Sequence, residues 1–260
     1  MNSALARIKE KIHRNELVVG TAVSLNDPVI TEILGSCGFD FLWIEGEHSK
    51  LDRGDIDLHI MAAEKQDVAS FVRVAWNDPV LAKPMLDIGA SAIIFPFIKT
   101  KDEAELAVKS CKYPPRGIRG FGPIRPVKYG LVDTQEYLKS DLKEPWVILQ
   151  IEHVDAVNNL DKILKVDGVD SIVVGPMDLS ASIGLLGQTS HTEVLKLIDR
   201  VAEKCLEAGI PFGASIGFNE KNVSAWISRG ASWLALDGDT DFLLGGGINC
   251  YKKTIELFRK

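Results

Sequence analysis

The chain lacks the features that mark several common classes of protein. Its four cysteines (Cys37, Cys111, Cys205 and Cys250) are scattered, with no CxxC pair and no cysteine–histidine spacing. We therefore interpret them as reduced, mostly buried thiols of a cytoplasmic protein. No apolar run has the length of a membrane span, and the basic N-terminus lacks the apolar stretch of a signal peptide.

The composition also argues against some kinds of partner. A formal net charge of −6 leaves no basic footprint for nucleic acid. The 46% hydrophobic and 25% charged residues are ordinary for a globular chain and argue against disorder. Because 260 residues is the usual size of one (β/α)8 barrel, we expect a single domain over residues 1–260. We expect its partner to be a small molecule, with no membrane and no nucleic acid.

Strand-like apolar runs alternate with amphipathic helical patterns along the chain. The predicted strands are Val18–Ser24, Phe41–Ile44, Ser70–Val74, Ala92–Phe95, Val147–Ile151, Ser171–Val174, Phe212–Ala214 and Trp233–Leu236. Their unbroken apolar character is typical of parallel strands buried on both faces. Eight repeats favour an α/β fold of the closed (β/α)8 TIM barrel type, and an open doubly wound sheet is the alternative.

Two acids follow successive predicted strands. Glu152 comes after the apolar run 146–151, and Asp178 comes shortly after the run 171–174. In parallel α/β proteins such strand ends meet at the face where sites are built. Two carboxylates there offer hard oxygen ligands to one divalent cation such as Mg²⁺ or Mn²⁺. The alternative for Asp178 is a helix cap.

Three more residues are candidates for the chemistry. His48 follows two acids at a strand end, where a proton-transfer role is favoured over a packing role. Arg73 lies inside an apolar strand, so it is either a site arginine that stabilises an oxyanion or the partner of Glu45 or Glu47 in an ion pair. Asp87 either orients His48 through a hydrogen bond or is a solvated residue at a helix C-terminus.

The connection from Tyr113 to Glu144 is unusually long and rich in glycine and proline at its start. Long loops in compact domains are usually functional or mobile. Its arginines, Arg119 among them, suit a carboxylate or phosphate of the substrate, and the alternative is a rigid surface turn. The run Gly245–Gly247 lacks the strand and spacing of a phosphate loop, so we expect a turn or helix break there.

Several longer motifs occur in a fixed order. They are Cys37-Gly38-Phe39-Asp40-Phe41, Gly46-Glu47-His48, Val72-Arg73-Val74, Leu86-Asp87-Ile88-Gly89-Ala90, Tyr113-Pro114-Pro115-Arg116-Gly117-Ile118-Arg119-Gly120, Gln150-Ile151-Glu152 and Val174-Gly175-Pro176-Met177-Asp178-Leu179-Ser180. In these motifs the chain resembles the HpcH/HpaI aldolases. These are metal-dependent class II pyruvate aldolases that include 4-hydroxy-2-oxo-heptanedioate aldolase and 2-dehydro-3-deoxyglucarate aldolase.

The resemblance implies a TIM barrel of the phosphoenolpyruvate/pyruvate-binding type. It also implies a homo-oligomer, often a hexamer, in which the C-terminal helix is exchanged between subunits. Glu152 and Asp178 would bind the divalent metal cation, which is Mg²⁺, Mn²⁺ or Co²⁺. Arg73 would contact the keto or enolate oxygen of pyruvate.

The resemblance assigns further roles around the pyruvate. His48, paired with Asp87, would help to relay protons. Gln150 would line the pocket, and the backbone at Gly175 and Pro176 would bind the pyruvate carboxylate.

The expected reaction is reversible cleavage of a 4-hydroxy-2-oxo acid, either a dicarboxylate or a sugar acid, to pyruvate and an aldehyde. The same scaffold would also suit a related lyase, such as an oxaloacetate decarboxylase or an acyl-CoA lyase. A barrel that binds a metabolite without catalysis is the alternative from another class. The aldehyde stays open, because Gly122-Pro123 replaces the Gly-Ser-Ala of better-characterised relatives in the loop that faces it.

Overall fold

A computed structural model describes residues 3–140 and 144–259, and it contains a closed barrel of eight parallel strands in chain order. The strands are β1 (Val18–Val23), β2 (Phe41–Glu45), β3 (Ala69–Arg73), β4 (Ala92–Phe95), β5 (Trp146–Ile151), β6 (Ser171–Val174), β7 (Phe212–Ile216) and β8 (Trp233–Gly238). β8 pairs with β1 and closes the barrel. The predicted TIM barrel is confirmed, and the open sheet is excluded.

Helices alternate with the strands. They are α1 (Ser3–His13), α2 (Pro28–Gly35), α3 (Arg53–Lys65), α4 (Pro79–Asp87), α5 (Lys101–Cys111), α6 (Thr134–Lys139), α7 (Val154–Ile163), α8 (Pro176–Ala181), α9 (Thr192–Ala208), α10 (Glu220–Ser228) and α11 (Asp239–Phe258). Side chains cap several of them: Asp52 and Thr100 form reciprocal capping boxes at α3 and α5, which satisfy backbone N–H groups that a helix start leaves free.

The amino-terminal end of the barrel is closed by aromatic side chains. Phe41 and Phe71 stack with centroids 4.5 Å apart, and the edge of Trp233 packs against both rings. Residues of α1, including Ile8, pack against this cluster at the amino-terminal end of the barrel. A Cβ on Gly213 would lie 2.2 Å from the Trp233 ring, so glycine is required for this packing. The polar opening of the barrel is therefore at the other end, where the strands finish.

Two sequence expectations differ from the structure. The segment predicted as a loop to Glu144 contains a 3-10 turn at Lys128–Gly130 and the short helix α6. The predicted break at Gly245–Gly247 is wrong, because these residues lie inside the continuous helix α11. Glycine lowers helix propensity by about 1 kcal/mol per residue but does not forbid helical dihedrals. No helix in the two described stretches combines the length and apolar character needed to cross a membrane.

Candidate active site

The carboxyl ends of four strands bring charged side chains to one rim of the barrel. β2 ends at Glu45 and β3 ends at Arg73, and the two residues are register partners. Gln150 lies in β5, and Glu152 follows that strand directly. Asp178 follows β6 inside α8, whose N-cap Gly175 makes no side-chain hydrogen bond. Asp178 lies inside the first turn of α8, and Gly175 is the N-cap residue, so Asp178 does not cap this helix.

Arg73 is held by two carboxylates at this rim. Its Nε donates to Glu45 Oε2 at 2.9 Å, and its Nη1 lies 3.0 Å from Glu47 Oε2. The guanidinium also lies over the Trp43 ring, 5.2 Å from the centroid, which is a favourable cation–π distance. The ion-pair alternative from the sequence is thus present in the structure. An additional role for Arg73 at a substrate oxygen stays a prediction.

Glu152 is a buried carboxylate with two donors from the protein. The backbone N–H of Phe97 donates to its Oε1 at 2.8 Å, and the Gln150 amide donates to its Oε2. The pKa of Glu152 is raised to about 7, chiefly by burial and to a smaller extent by the charges of Asp178 and Glu47, which together outweigh those two hydrogen bonds. A Cβ on Gly175 would lie 2.6 Å from Glu152 Oε2, so glycine is needed where the backbone approaches this carboxylate.

The two glutamates before His48 have opposite environments. Burial opposes ionisation of Glu45, but the charge and hydrogen bonds of Arg73 outweigh it and hold the pKa of Glu45 below its usual value. Burial raises the pKa of Glu47, and Glu45 and Asp178 add to that effect. Glu47 Oε2 forms an ion pair with Arg73, but within the described residues no N–H or O–H group points at it with the geometry of a hydrogen bond. His48 Nε2 lies 3.8 Å from this same oxygen, with the imidazole largely exposed to solvent.

A divalent cation fits the chemistry of this rim. The charge of Asp178 helps to raise the pKa of both Glu47 and Glu152, and a cation between these carboxylates would relieve that repulsion. Within residues 3–140 and 144–259, no group of three histidines, cysteines or acids is placed to hold a metal by itself. Magnesium is usually held by one or two carboxylates, with water and substrate completing its shell. Glu152 and Asp178 match that pattern.

The structure places Asp87 and Arg119 away from this rim. Asp87 is the last residue of α4, which runs back towards the start of β4, so it lies at the amino-terminal end of the barrel. Arg119 Nη2 donates to Asp87 Oδ1 at 3.0 Å, and its guanidinium stacks over Tyr113. Within one chain, Asp87 is therefore not brought to His48, and Arg119 is not brought to Glu152.

One contributor to the rim was missed in the sequence. Phe97 supplies the backbone N–H that positions Glu152, and it does so with a φ of 53°. This left-handed conformation is rare for a bulky residue. The functional atom belongs to the backbone, so the side chain gives no polar signal in the sequence. The nearest clue is Pro96, which interrupts the apolar run directly after β4.

The closed barrel with carboxylates at its open rim has the architecture of a TIM-barrel enzyme, and comparison with known proteins identifies the group. The sequence model of the HpcH/HpaI aldolase/citrate lyase family matches residues 20–244. The 5-keto-4-deoxy-D-glucarate aldolase of Escherichia coli (strain K12) is 36% identical over 255 residues, which cover 98% of this chain and 97% of that protein. The chain belongs to the HpcH/HpaI aldolase/citrate lyase family, and it is a carbon–carbon lyase.

Solved structures agree with this assignment. The crystal structure of an HpcH/HpaI aldolase from Desulfitobacterium hafniense DCB-2 superposes with a TM-score of 0.88 at 30% identity and covers 95% of each chain. The citrate synthase SbnG superposes with a TM-score of 0.84 at 26% identity, over 97% of this chain and 98% of that one. The resemblance inferred from the sequence motifs is confirmed.

Proposed function

We propose that the chain is a metal-dependent class II aldolase that reversibly cleaves a 4-hydroxy-2-oxo acid to pyruvate and an aldehyde. The observation that carries this proposal is the buried carboxylate Glu152 beside Asp178 and Glu47, an excess of negative charge at the open end of the barrel. The Escherichia coli relative is named for a sugar-acid substrate, so a sugar acid is one substrate to test.

In this proposal Glu152 and Asp178 hold the cation, which is Mg²⁺, Mn²⁺ or Co²⁺. When bound, the cation supplies a Lewis acid for the keto oxygen of the substrate. Arg73 contributes positive charge at the same oxygen as an enolate forms. Gln150 lines the pyruvate pocket and fixes the orientation of Glu152 through its amide. The pyruvate carboxylate lies against the backbone at Gly175 and Pro176, and its donors are the N–H groups that follow at the start of α8, because Pro176 has none and the Gly175 N–H donates to Ile151.

The reaction breaks the bond between C3 and C4 of the substrate. The electron pair of that bond passes into the enolate of pyruvate, and C4 becomes the aldehyde carbonyl. The 4-hydroxyl must lose its proton, and His48 accepts it as the base at the rim. The proton then returns to C3, which becomes the methyl group of pyruvate. Each step is reversible, so the same residues would serve condensation.

A second candidate is a related lyase or condensing enzyme that uses the same enolate. The match to the citrate synthase SbnG favours this candidate, because that protein's name describes a different carbon–carbon reaction on a similar barrel. Oxaloacetate decarboxylation and acyl-CoA cleavage belong to the same group of reactions.

The test is pyruvate release from a panel of 4-hydroxy-2-oxo acids, with oxaloacetate and acyl-CoA substrates as comparison. We expect release from at least one 4-hydroxy-2-oxo acid, loss of activity on chelation, and recovery with Mg²⁺, Mn²⁺ or Co²⁺. Release that is unaffected by thorough chelation would contradict the metal role. Turnover of oxaloacetate or the thioesters alone would favour the second candidate.

We also propose that the chain assembles into a homo-oligomer through α11, and the resemblance to the HpcH/HpaI aldolases suggests a hexamer. Asp239 is the buried residue of this helix, while Phe242, Leu243, Leu244, Tyr251, Leu257 and Phe258 are exposed. Exposed apolar surface of this extent favours a protein partner, and a second copy in closed symmetry is the default. Light scattering should give a mass several times 28.5 kDa, and a stable monomer would contradict this.

Such an assembly would also give Asp87 a catalytic role. Asp87 lies at the end of the barrel opposite His48, so it can orient only the His48 of another subunit. Coexpressed chains with His48→Ala and Asp87→Ala should then form mixed assemblies with some complete sites. Activity in the mixture, with each variant inactive alone, is the expected result. An inactive mixture with proven subunit exchange would leave Asp87 without this role.

A further inference from the structure

The active rim carries exposed apolar side chains that the proposed pyruvate chemistry does not use. Trp76 follows β3 and is 55% exposed, and Met177 lies between Gly175 and Asp178 and is 52% exposed. Phe97 follows β4 and is partly exposed. All three come after the carboxyl ends of strands, on the same side of the barrel as Glu152.

Trp76 and Phe97 form a stacked pair. Their ring centroids are 5.9 Å apart with an interplanar angle of 28°, an arrangement that stabilises aromatic pairs. The backbone N–H of Phe97 donates to Glu152 Oε1 at 2.8 Å. The aromatic pair is therefore linked directly to Glu152 through the backbone of Phe97. Glu152 is the carboxylate that is proposed to bind the cation.

The loops that carry the two rings are fixed to each other. Asn77 Nδ2, next to Trp76, donates to the backbone oxygen of Glu103 at 2.9 Å. The side chain of Glu103 in turn accepts from the backbone N–H of Lys99 at 2.7 Å and of Thr100 at 2.9 Å. Because one residue anchors both loops, the aromatic surface is formed before any ligand arrives. A pre-formed surface loses little conformational freedom when it binds.

The charges around this surface favour an uncharged apolar group. Arg73 at the rim already contacts Glu45 and Glu47, so its charge is largely balanced. A polyhydroxylated group laid on two aromatic rings would give up water without gaining hydrogen bonds from them. An aromatic or branched alkyl group would gain contact area with both rings and lose no hydrogen bonds.

The geometry points to the Trp76–Phe97 pair as the subsite for the aldehyde half of the substrate, with a preference for aromatic or branched apolar aldehydes. The inference rests on the proposed function, because it takes the pyruvate half to lie at Glu152 and Asp178. In this arrangement Trp76 is a specificity residue that acts on the aldehyde without touching the atoms of pyruvate.

The experiment compares two substrates in the full-length protein with Mg²⁺ or Mn²⁺. One is 4-hydroxy-2-oxo-4-phenylbutanoate, which yields pyruvate and benzaldehyde, and the other is 5-keto-4-deoxy-D-glucarate. We expect a higher kcat/KM for the phenyl substrate. Trp76→Thr should lower that value about tenfold and leave the sugar acid within about twofold, while Trp76→Phe should retain most of it.

Two controls isolate the effect. Tyr129→Ala removes another exposed aromatic side chain, 73% exposed and on the long connection after α5, and should change neither substrate. Exchange of the pyruvate methyl protons with deuterium, followed by NMR without any aldehyde, reports the pyruvate half alone. That exchange should be the same in Trp76→Thr and in the unmodified protein.

Failures of the two proposals are distinguishable. If the unmodified protein neither exchanges pyruvate protons nor releases pyruvate from any acid, the proposed function itself is wrong, and the subsite is overturned with it. If exchange and release are intact but Trp76→Thr affects both substrates equally or neither, the subsite alone is overturned. A change of oligomeric mass in Trp76→Thr would also overturn it, in favour of a subunit contact.

Discussion

Arg119 is buried and Arg73 is partly buried, each against carboxylates, but the two arginines lie at opposite ends of the barrel. Arg119 has a single acidic partner, Asp87, at 3.0 Å, and its other face stacks on Tyr113. Arg73 contacts both Glu45 and Glu47. One positive and one negative charge therefore balance in the Arg119–Asp87 pair, whereas the single positive charge of Arg73 faces two carboxylates.

This difference separates a structural contact from a binding site. A buried pair of opposite charges satisfies its own electrostatics and requires no further ion. At the rim, Glu152 and Asp178 join the two glutamates that already share Arg73, and burial raises the pKa of Glu152 to about 7. A carboxyl group whose pKa is raised this far by burial and by neighbouring charges is characteristic of functional sites. The cluster of carboxylates, more than any single residue, makes the rim the candidate site for the proposed cation.

The largest effect is expected from Arg73→Lys. Lysine keeps the charge but loses the planar fork that contacts Glu45 and Glu47 and that, in the proposed function, also reaches a substrate oxygen. Loss of one oxyanion-stabilising contact typically costs about 10²–10³-fold in turnover, so we expect kcat to fall by that factor. Steady-state kinetics of pyruvate release would measure it. An Arg73→Lys enzyme with unchanged kcat and lower thermal stability would make Arg73 a purely structural partner of the glutamates.

A smaller and different effect is expected at the other end of the barrel. Arg119→Met leaves Asp87 buried without its partner, which should lower the free energy of unfolding by about 3 kcal/mol. The double variant Arg119→Met/Asp87→Leu should recover most of that stability, because no unpaired charge is left. Urea denaturation at fixed protein concentration measures both. An Arg119→Met variant as stable as the unmodified protein would show that the pair contributes nothing to the fold.

Much of the barrel could be predicted because its strands are buried on both faces. Ala92–Phe95 and Ser171–Val174 were predicted with the bounds that the structure has. Local apolar composition is enough to locate such strands. The helical glycines of α11 were missed for the opposite reason, since propensity argued for a break and the helix continues through them.

The site could be predicted only where a polar side chain follows a strand. Glu152 and Asp178 were found in this way, and the structure places them after neighbouring strands of the barrel. The N–H of Phe97 and its stack with Trp76 could not be found, because backbone donors and ring contacts leave no pattern in the sequence. The position of Asp87 could have been inferred, since helices in a parallel barrel run opposite to the strands.

Direct measurement of cation binding tests the central claim of an unbalanced carboxylate cluster at the rim. Calorimetric titration of the chelated protein with Mn²⁺ or Mg²⁺ should show one site per chain. Glu152→Gln keeps the shape of the side chain and should weaken binding by at least about tenfold. The control Asp170→Asn changes another, partly buried carboxyl, which accepts from the Val147 N–H at the far end of the barrel, and should bind as the unmodified protein does. Equal affinity in Glu152→Gln and the unmodified protein would contradict the account.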